Sequence, residues 1–407
     1  MGFFKRTVRD VSVKGKTVLV RADYNVPLNT DGEIDDDFRI VSSVPTIQYL
    51  IKRNATVVII SHLGRPEGRE EKYSLQPVAE RLSQLLDRPV QFVENCIGDT
   101  VVQAVKKAPL GSVLLLENLR FYKQEEANDA TFARNIAKST GASLFVQDGF
   151  GVVHRAHAST DAITQCIPSV SGLLLEREYT TITEAMEKPK RPLVAVMGGA
   201  KVSDKITVIE RFVGIADTIV VGGAMSNTFL TYKGHDMGDS LVEAGQERVL
   251  DGIYMAAHKK LSTSIDDFII LPSDVAVASN ATDSATRTNI PLGNVKPHFK
   301  ALDIGTASIE RMVETISTAG TVIWNGTLGY AELPEFAHGS ARLALALATQ
   351  PSTTSIIGGG DTADFVLKWD GQGGKSFTHV STGGGASLEL MAGKKLPGIE
   401  RLLDAPR

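Results

Sequence analysis

Six cationic side chains gather around the ends of apolar runs in the first half of the chain: Arg21, Arg39, His62, Arg65, Arg120 and Arg155. Taken singly, a guanidinium at a strand tip is a solvated surface charge. As a set they come mostly from separate strand ends of one sheet, which converge in space. Guanidinium forks match phosphate and carboxylate oxygens bidentately, so a small polyanion without a nucleobase fits such a basin. Asp23 and Asn25 add an acceptor and an amide able to orient a hydroxyl; the plainer reading of both is turn formation before Pro27. His62 alone reads as a structural histidine, and "HRAH" at 154–157 is too little for a metal site.

Glycine takes over at the strand tips of the second half. Gly198 and Gly199, Gly222 and Gly223, Gly358 to Gly360, and Gly383 to Gly385 form separate cradles. The last, in "VSTGGGASLEL", opens a helix whose N-terminal N–H groups favour an anion. Lys201 and Lys205, four apart in "GGAKVSDK", are expected to share one face of a helix beginning there. Asp361 follows a triple glycine, where a lone carboxylate suits Mg²⁺ carried in by a nucleotide; a helix cap is its other reading. Glu332 in "WNGTLGYAE" is placed to accept from ribose hydroxyls. Two motif matches are coincidences. "GGGDTA" fits G-x-G-x-x-A, but the strand after it carries no acid for a ribose. "GKS" at 374–376 has Trp369 where a phosphate loop needs glycine.

These residues must be positioned by elements, and the pattern is β-branched runs alternating with helical ones, the signature of parallel sheets in βα units. The fold class expected is α/β, two Rossmann-like three-layer domains joined by an interdomain helix and hinge. Open sheets of this kind bind ligands at the carboxyl ends of their strands, so the two halves hold different ligands. The domains expected are residues 1–172, an interdomain helix over 173–189 stopped by Pro189 and Pro192, residues 190–393, and a segment 394–407 that returns to the first domain.

A length of 407 residues suits two cores, and a net charge of −4 argues against a nucleic-acid footprint. Cys96 and Cys166 are far apart without metal-ligand spacing, which suggests a reduced, cytoplasmic compartment. The start "MGFFKRTVRD" lacks an apolar signal core, and no run is long enough to span a membrane.

Taken in order, "RADYNVPL", "SHLGRP", "ENLRF", "FGVVHRAHAS", "GGAKVSDK", "WNGTLG", "GGGDTA" and "HVSTGGGASLEL" resemble the motifs of phosphoglycerate kinase across nearly the whole chain. That resemblance implies reversible phosphoryl transfer between 1,3-bisphosphoglycerate and MgADP, giving 3-phosphoglycerate and MgATP, in a monomer that closes about a hinge. By it, Asp23, Asn25, Arg39, His62, Arg65, Arg120 and Arg155 would hold the phosphoglycerate. Lys201, Lys205, Gly223, Gly305, Asn325, Glu332, Gly360, Asp361 and Thr362 would hold the nucleotide and its Mg²⁺, with Asp361 as metal ligand. Arg39, Lys201 and Gly383, Gly384 and Gly385 would stabilise the moving phosphoryl. The chain departs from the family pattern at Gln147, Gly149, Val152, Val153, Ala224, Asn227 and Thr327. Two other classes remain: an NAD-dependent two-domain dehydrogenase, which needs a better glycine fingerprint, and a non-catalytic nucleotide-regulated binding protein, which could dispense with Lys201 and Asp361 together.

Overall fold

β1 (Thr17–Arg21), β2 (Thr56–Ile60), β3 (Val90–Val93), β4 (Val113–Leu116), β5 (Leu144–Gln147) and β6 (Ser169–Ser171) make one sheet in the order β3-β4-β2-β1-β5-β6, every pairing parallel. A parallel sheet covered on both faces asks for continuous apolar strands rather than alternating ones. The side chains show why. Val18, Val20, Val57 and Ile59 pack into one core with Ile47 and Leu50 of the helix Phe38–Ile51. Leu19, Val58 and Ile60 point the other way, onto Phe132 and Ile136 of the helix Ala130–Thr140. The structure, a computed structural model, describes residues 3–260, 264–282 and 284–406.

Nine further strands follow: β7 (Leu193–Met197), β8 (Thr218–Val221), β9 (Ile269–Ile270), β10 (Asp274–Ala278), β11 (Thr288–Pro291), β12 (Lys300–Ile304), β13 (Thr321–Asn325), β14 (Thr354–Gly358) and β15 (His379–Val380). Six of them form a second parallel sheet in the order β15-β14-β13-β7-β8-β9. The remaining three form an antiparallel sheet, β11-β10-β12, with a register shift at Ala276/Val277. A purely parallel reading of the sequence misses this small sheet.

The chain divides into two compact units, Met1–Thr180 with Lys395–Arg407, and Thr181–Lys394. The division falls inside the helix Leu173–Glu187. In the first unit the C-terminal tail is hydrogen-bonded to earlier segments: Arg6 N–H donates to Leu403 O at 2.7 Å, Leu403 N–H to Ser169 O at 2.9 Å, and Gly398 N–H to Val153 O at 2.9 Å. Among the described residues no helix is long and apolar enough to cross a membrane.

Strand order locates the crevices. In the first sheet the chain leaves β1 toward β2 on one side and returns to β5 on the other; in the second it leaves β7 toward β8 and returns to β13. Loops part at such reversals, and the carboxyl ends of the flanking strands line the gap.

Candidate active site in two halves

Around the tips of β1 and β2, the first unit carries a buried polar cluster. Asp23 lies 6% exposed just past β1, and Arg39, in the first turn of the helix Phe38–Ile51, donates to its Oδ2 at 2.7 Å. Burial works against ionising Asp23, but Arg39 and the other cations beside it outweigh that and hold its carboxyl at about 2. Asn25 accepts from Gly64 N–H at 2.8 Å, which ties the loop after β1 to the loop after β2. Arg120 reaches the same place from the 3-10 turn Leu119–Phe121 and donates to Gly64 O at 2.6 Å. Burial pushes its guanidinium down, and Arg155 and Arg65 repel it further. Arg65 and Arg155 are exposed. Asp23, Asn25, Arg39, His62, Arg65 and Arg120 are thus gathered by three strand ends, and Arg155 acts on Arg120 as a neighbouring like charge.

Arg21 departs from expectation. The sequence places it among the open cations, yet it is 1% exposed. Its Nε donates to Ser159 Oγ at 2.8 Å, one terminal nitrogen bonds Ala22 O, and the other lies 3.2 Å from His62 Nδ1. Ser159 hands the chain on: its hydroxyl and N–H donate to Glu125 at 2.5 and 3.0 Å. Arg21 is therefore a strut beneath the basin.

In the second unit a cavity of about 510 Å³ opens at the reversal between β7 and β13. Loops after β7, β13, β14 and β15 all line it, through residues that include Lys201, Lys205, Asn325, Asp361, Thr362 and Gly384. Two helix N-termini meet there: Gly360–Asp370, preceded by Gly359 at φ 96°, and Gly384–Met391, preceded by Gly383. They sit so close that a Cβ added to Gly384 would fall 3.1 Å from Gly360 N. Unpaired N–H groups at helix starts make such a place attractive to anions. Asn325 is 1% exposed and its Nδ2 has no hydrogen-bond partner among the described residues, a buried donor at the cavity edge.

The two lysines do not share a helix face, as spacing suggests, because the helix Ile206–Ile215 starts only after both. Residues 201–205 are a turn in which Lys205 N–H donates to Val202 O at 2.9 Å. Lys205 Nζ turns inward to Gly198 O at 2.7 Å and Asn325 O at 3.2 Å, and burial lowers its pKa to about 8 despite nearby Asp361 and Asp204. Lys201 stays exposed. Glu243 pins the turn by accepting from Val202 N–H at 2.7 Å and Ser203 N–H at 3.1 Å. Asp361 is the second residue of its helix rather than its cap, and no hydrogen bond occupies its carboxylate among the described residues.

Gly223, Gly305 and Glu332 lie outside the cavity lining. Gly223 has a packing role. At φ 63°, a side chain there would meet Gly199 N and O and Thr327 O at 2.6–2.7 Å. At Gly305, N–H donates to Asp274 O at 2.9 Å while the Asp274 carboxylate takes the helix-start N–H groups of Ala307 and Ser308. Glu332 is exposed.

Asn118 escapes a search for charged groups. Fully buried, it accepts from Leu63 N–H and Arg120 N–H and donates to Leu63 O and Tyr73 O, so one amide sets both the loop after β2 and the start of Arg120's turn. Its signal is the pair Glu117-Asn118 directly continuing the apolar strand VLLL.

The family model described as phosphoglycerate kinase matches residues 8–394. The chain belongs to the phosphoglycerate kinase family. It is similar to the phosphoglycerate kinase of Pelotomaculum thermopropionicum, 44% identical over 401 residues covering 98% of this chain and 99% of the relative. The Aquifex aeolicus protein of that name is also 44% identical, with 98% of each chain covered. Among solved structures, the phosphoglycerate kinases of Coxiella burnetii and Pyrococcus horikoshii superpose with TM-scores of 0.82 and 0.83 at 35% and 31% identity, each covering 98% of both chains. Membership of this family makes the chain a phosphotransferase, and it disfavours the dehydrogenase and the non-catalytic binding protein.

Proposed function

We propose that the chain transfers a phosphoryl group reversibly between 1,3-bisphosphoglycerate and ADP, with the phosphoglycerate held by the first unit and the nucleotide by the second. The observation that carries this division is the contrast between the sites: a guanidinium-rich basin at β1 and β2, and a glycine-lined cavity with two helix N-termini at β7 and β13. Arg39, Arg65, Arg120, Arg155 and His62 supply donors for phosphate and carboxylate oxygens; Asp23 and Asn25 set their positions and face the hydroxyl.

In the direction that makes the acyl phosphate, the nucleophile is a carboxylate, whose ordinary pKa of ~3.5 leaves it ionised at neutral pH. No general base is required. What remains is positioning and charge stabilisation along an in-line path. Lys201, exposed at the mouth of the cavity, and Arg39 supply cations, and the N–H groups from Gly383 to Gly385 supply fixed dipoles for the phosphoryl in flight. Because the ligands belong to different units, transfer waits for a closure that also excludes water.

The residues present fit a Mg²⁺ that arrives with the nucleotide. Among the described residues no cluster of His, Cys, Asp or Glu could hold a metal alone, whereas Asp361 offers a free carboxylate inside the cavity. Such an ion would neutralise phosphate charge while the nucleotide supplies most of its other ligands. A cytoplasmic, monomeric enzyme is part of the same proposal. Purified protein supplied with 3-phosphoglycerate and MgATP should form acyl phosphate in a coupled assay; no turnover would overturn the reading.

A further inference from the structure

His62 is 4% exposed at the tip of β2, and four charged groups surround it. Asp23 Oδ1 lies 3.8 Å from its Nδ1, Arg21 lies 3.2 Å from the same nitrogen, and Arg39 and Arg120 stand farther off as like-charge neighbours of an imidazolium. Only one of these contacts is short enough for a hydrogen bond to Nδ1, because 3.8 Å is beyond hydrogen-bond reach. A guanidinium has five N–H groups and no acceptor, and it keeps its charge. Whenever it bonds an imidazole nitrogen, that nitrogen must be the acceptor. The proton of the neutral ring is then on Nε2, which has no hydrogen-bond partner among the described residues.

We infer that Arg21 is a positioning residue of the phosphoglycerate basin: donating to Nδ1 of His62 from below, it commits the imidazole to the neutral form with its proton on Nε2. The ring then serves the anionic ligand as a fixed neutral donor rather than as a titrating cation. Arg21 can hold this pose because it is itself held, through Ser159 Oγ to the buried carboxyl of Glu125 and through Ala22 O. Adding the imidazolium would place a further positive charge among three guanidiniums. Burial and those cations both push the ring's pKa well down, against the pull of Asp23. This inference rests on the basin being the phosphoglycerate site, and it deepens that assignment by naming the protonation state in which one of its ligands works.

Long-range ¹H–¹⁵N correlation on protein labelled at histidine nitrogens reads the tautomer directly, with the His62 signals identified by their loss in His62→Gln. The expected pattern from pH 5.5 to 8 is a bare Nδ1 and a protonated Nε2 that do not titrate. A proton on Nδ1, directed at Asp23, or a ring that gains charge in that range would overturn the inference, and neither result depends on a variant at Arg21. Arg21→Met should release the ring to titrate, and Arg21→Lys, which keeps a donor, should restore the single tautomer. Without the fixed donor, the KM for 3-phosphoglycerate at pH 8 should rise about tenfold in Arg21→Met. The ratio of variant to parent KM should then shrink toward pH 6, where the released ring becomes cationic; taking the ratio cancels the substrate's own titration. A ratio independent of pH would reduce Arg21 to a purely structural strut. If the coupled assay gives turnover but the tautomer is wrong, only this inference fails; absent turnover, the functional assignment itself fails.

Discussion

Lys201 and Lys205 have the same side chain, four positions apart, yet they have different prospects. Lys205 is clamped on two carbonyls from strand ends more than a hundred residues apart in sequence, and its pKa falls to about 8 because burial penalises the ammonium. Nucleotide phosphates beside it would favour the charged form and raise that pKa. Binding ADP at pH 8 should therefore take up protons from solution. Calorimetry in buffers of different ionisation enthalpy measures this, and Lys205→Met should abolish it; uptake unchanged in the variant would assign the proton elsewhere. Lys201 is exposed, and in the proposed mechanism it would follow the phosphoryl. Lys201→Ala should lower kcat by about 10² to 10³ with little change in nucleotide KM, the loss expected for one donor at developing charge. A raised KM with normal kcat would demote it to a binding residue. Residue types were legible in the sequence at both sites. What was not legible is direction: that Arg21 points inward, and that Lys205 is buried while Lys201 is not, depends on partners that only the folded sheets bring near.

At the scale of elements, strand runs and glycine cradles announced themselves, because a parallel strand buried on both faces is an unbroken apolar word and a glycine pair after it is a turn. The antiparallel β10, β11 and β12 gave no such signal. β11, TNIP, is largely exposed, and its pairing is set by β10 rather than by its own pattern. Helix starts were legible in part: the helix expected right after Gly198 and Gly199 begins only at Ile206, whereas the one expected at 173 does begin there. The start of the helix Leu173–Glu187 is held by tertiary contacts: Leu173 N–H donates to Thr46 Oγ1 at 2.9 Å, and Leu174 N–H to Asp148 Oδ1 at 3.0 Å. Asp148 is fully buried, and burial raises its carboxyl to about 7 although Thr46 and the Leu174 and Leu175 N–H groups bond it. An unfolded Asp ionises near ~3.9. The folded state thus holds a proton that the unfolded state releases, and this contribution to stability is complete below about pH 4 and lost as pH rises through about 7. Asp148→Asn keeps an acceptor for Leu174 N–H and cannot ionise. Its stability relative to the parent should improve by up to about 3–4 kcal/mol between pH 4 and pH 8. Denaturant melts at several pH values decide it, and a constant difference would show that Asp148 does not titrate on folding.

For the whole molecule, the decisive part of the proposal is that each ligand has groups in one unit only. A net charge of −4 offers no global attraction for two polyanions, so the local cations must do the binding. Arg65→Ala should weaken phosphoglycerate binding about ten- to a hundredfold, the worth of a charge-assisted fork. The ADP affinity should not change; an equal loss for both ligands would show that the division of labour is wrong. If that division holds, either ligand alone contacts one unit and gains nothing from bringing the units together. On that proposal, Lys201 and Arg39 would act on a shared phosphoryl charge only with both ligands bound, and only then would closure lower the free energy. Small-angle scattering should accordingly report a smaller radius of gyration for the complex with 3-phosphoglycerate and a non-transferable MgATP analogue than for either binary complex. The contraction should persist in Arg65→Ala once the phosphoglycerate concentration is raised to restore saturation, because that variant loses affinity rather than the geometry of transfer. In Lys201→Ala it should shrink even with both ligands saturating, since one of the charges that reward closure is gone. Identical profiles in all three liganded states would count against closure and leave the meeting of the two ligands without a mechanism.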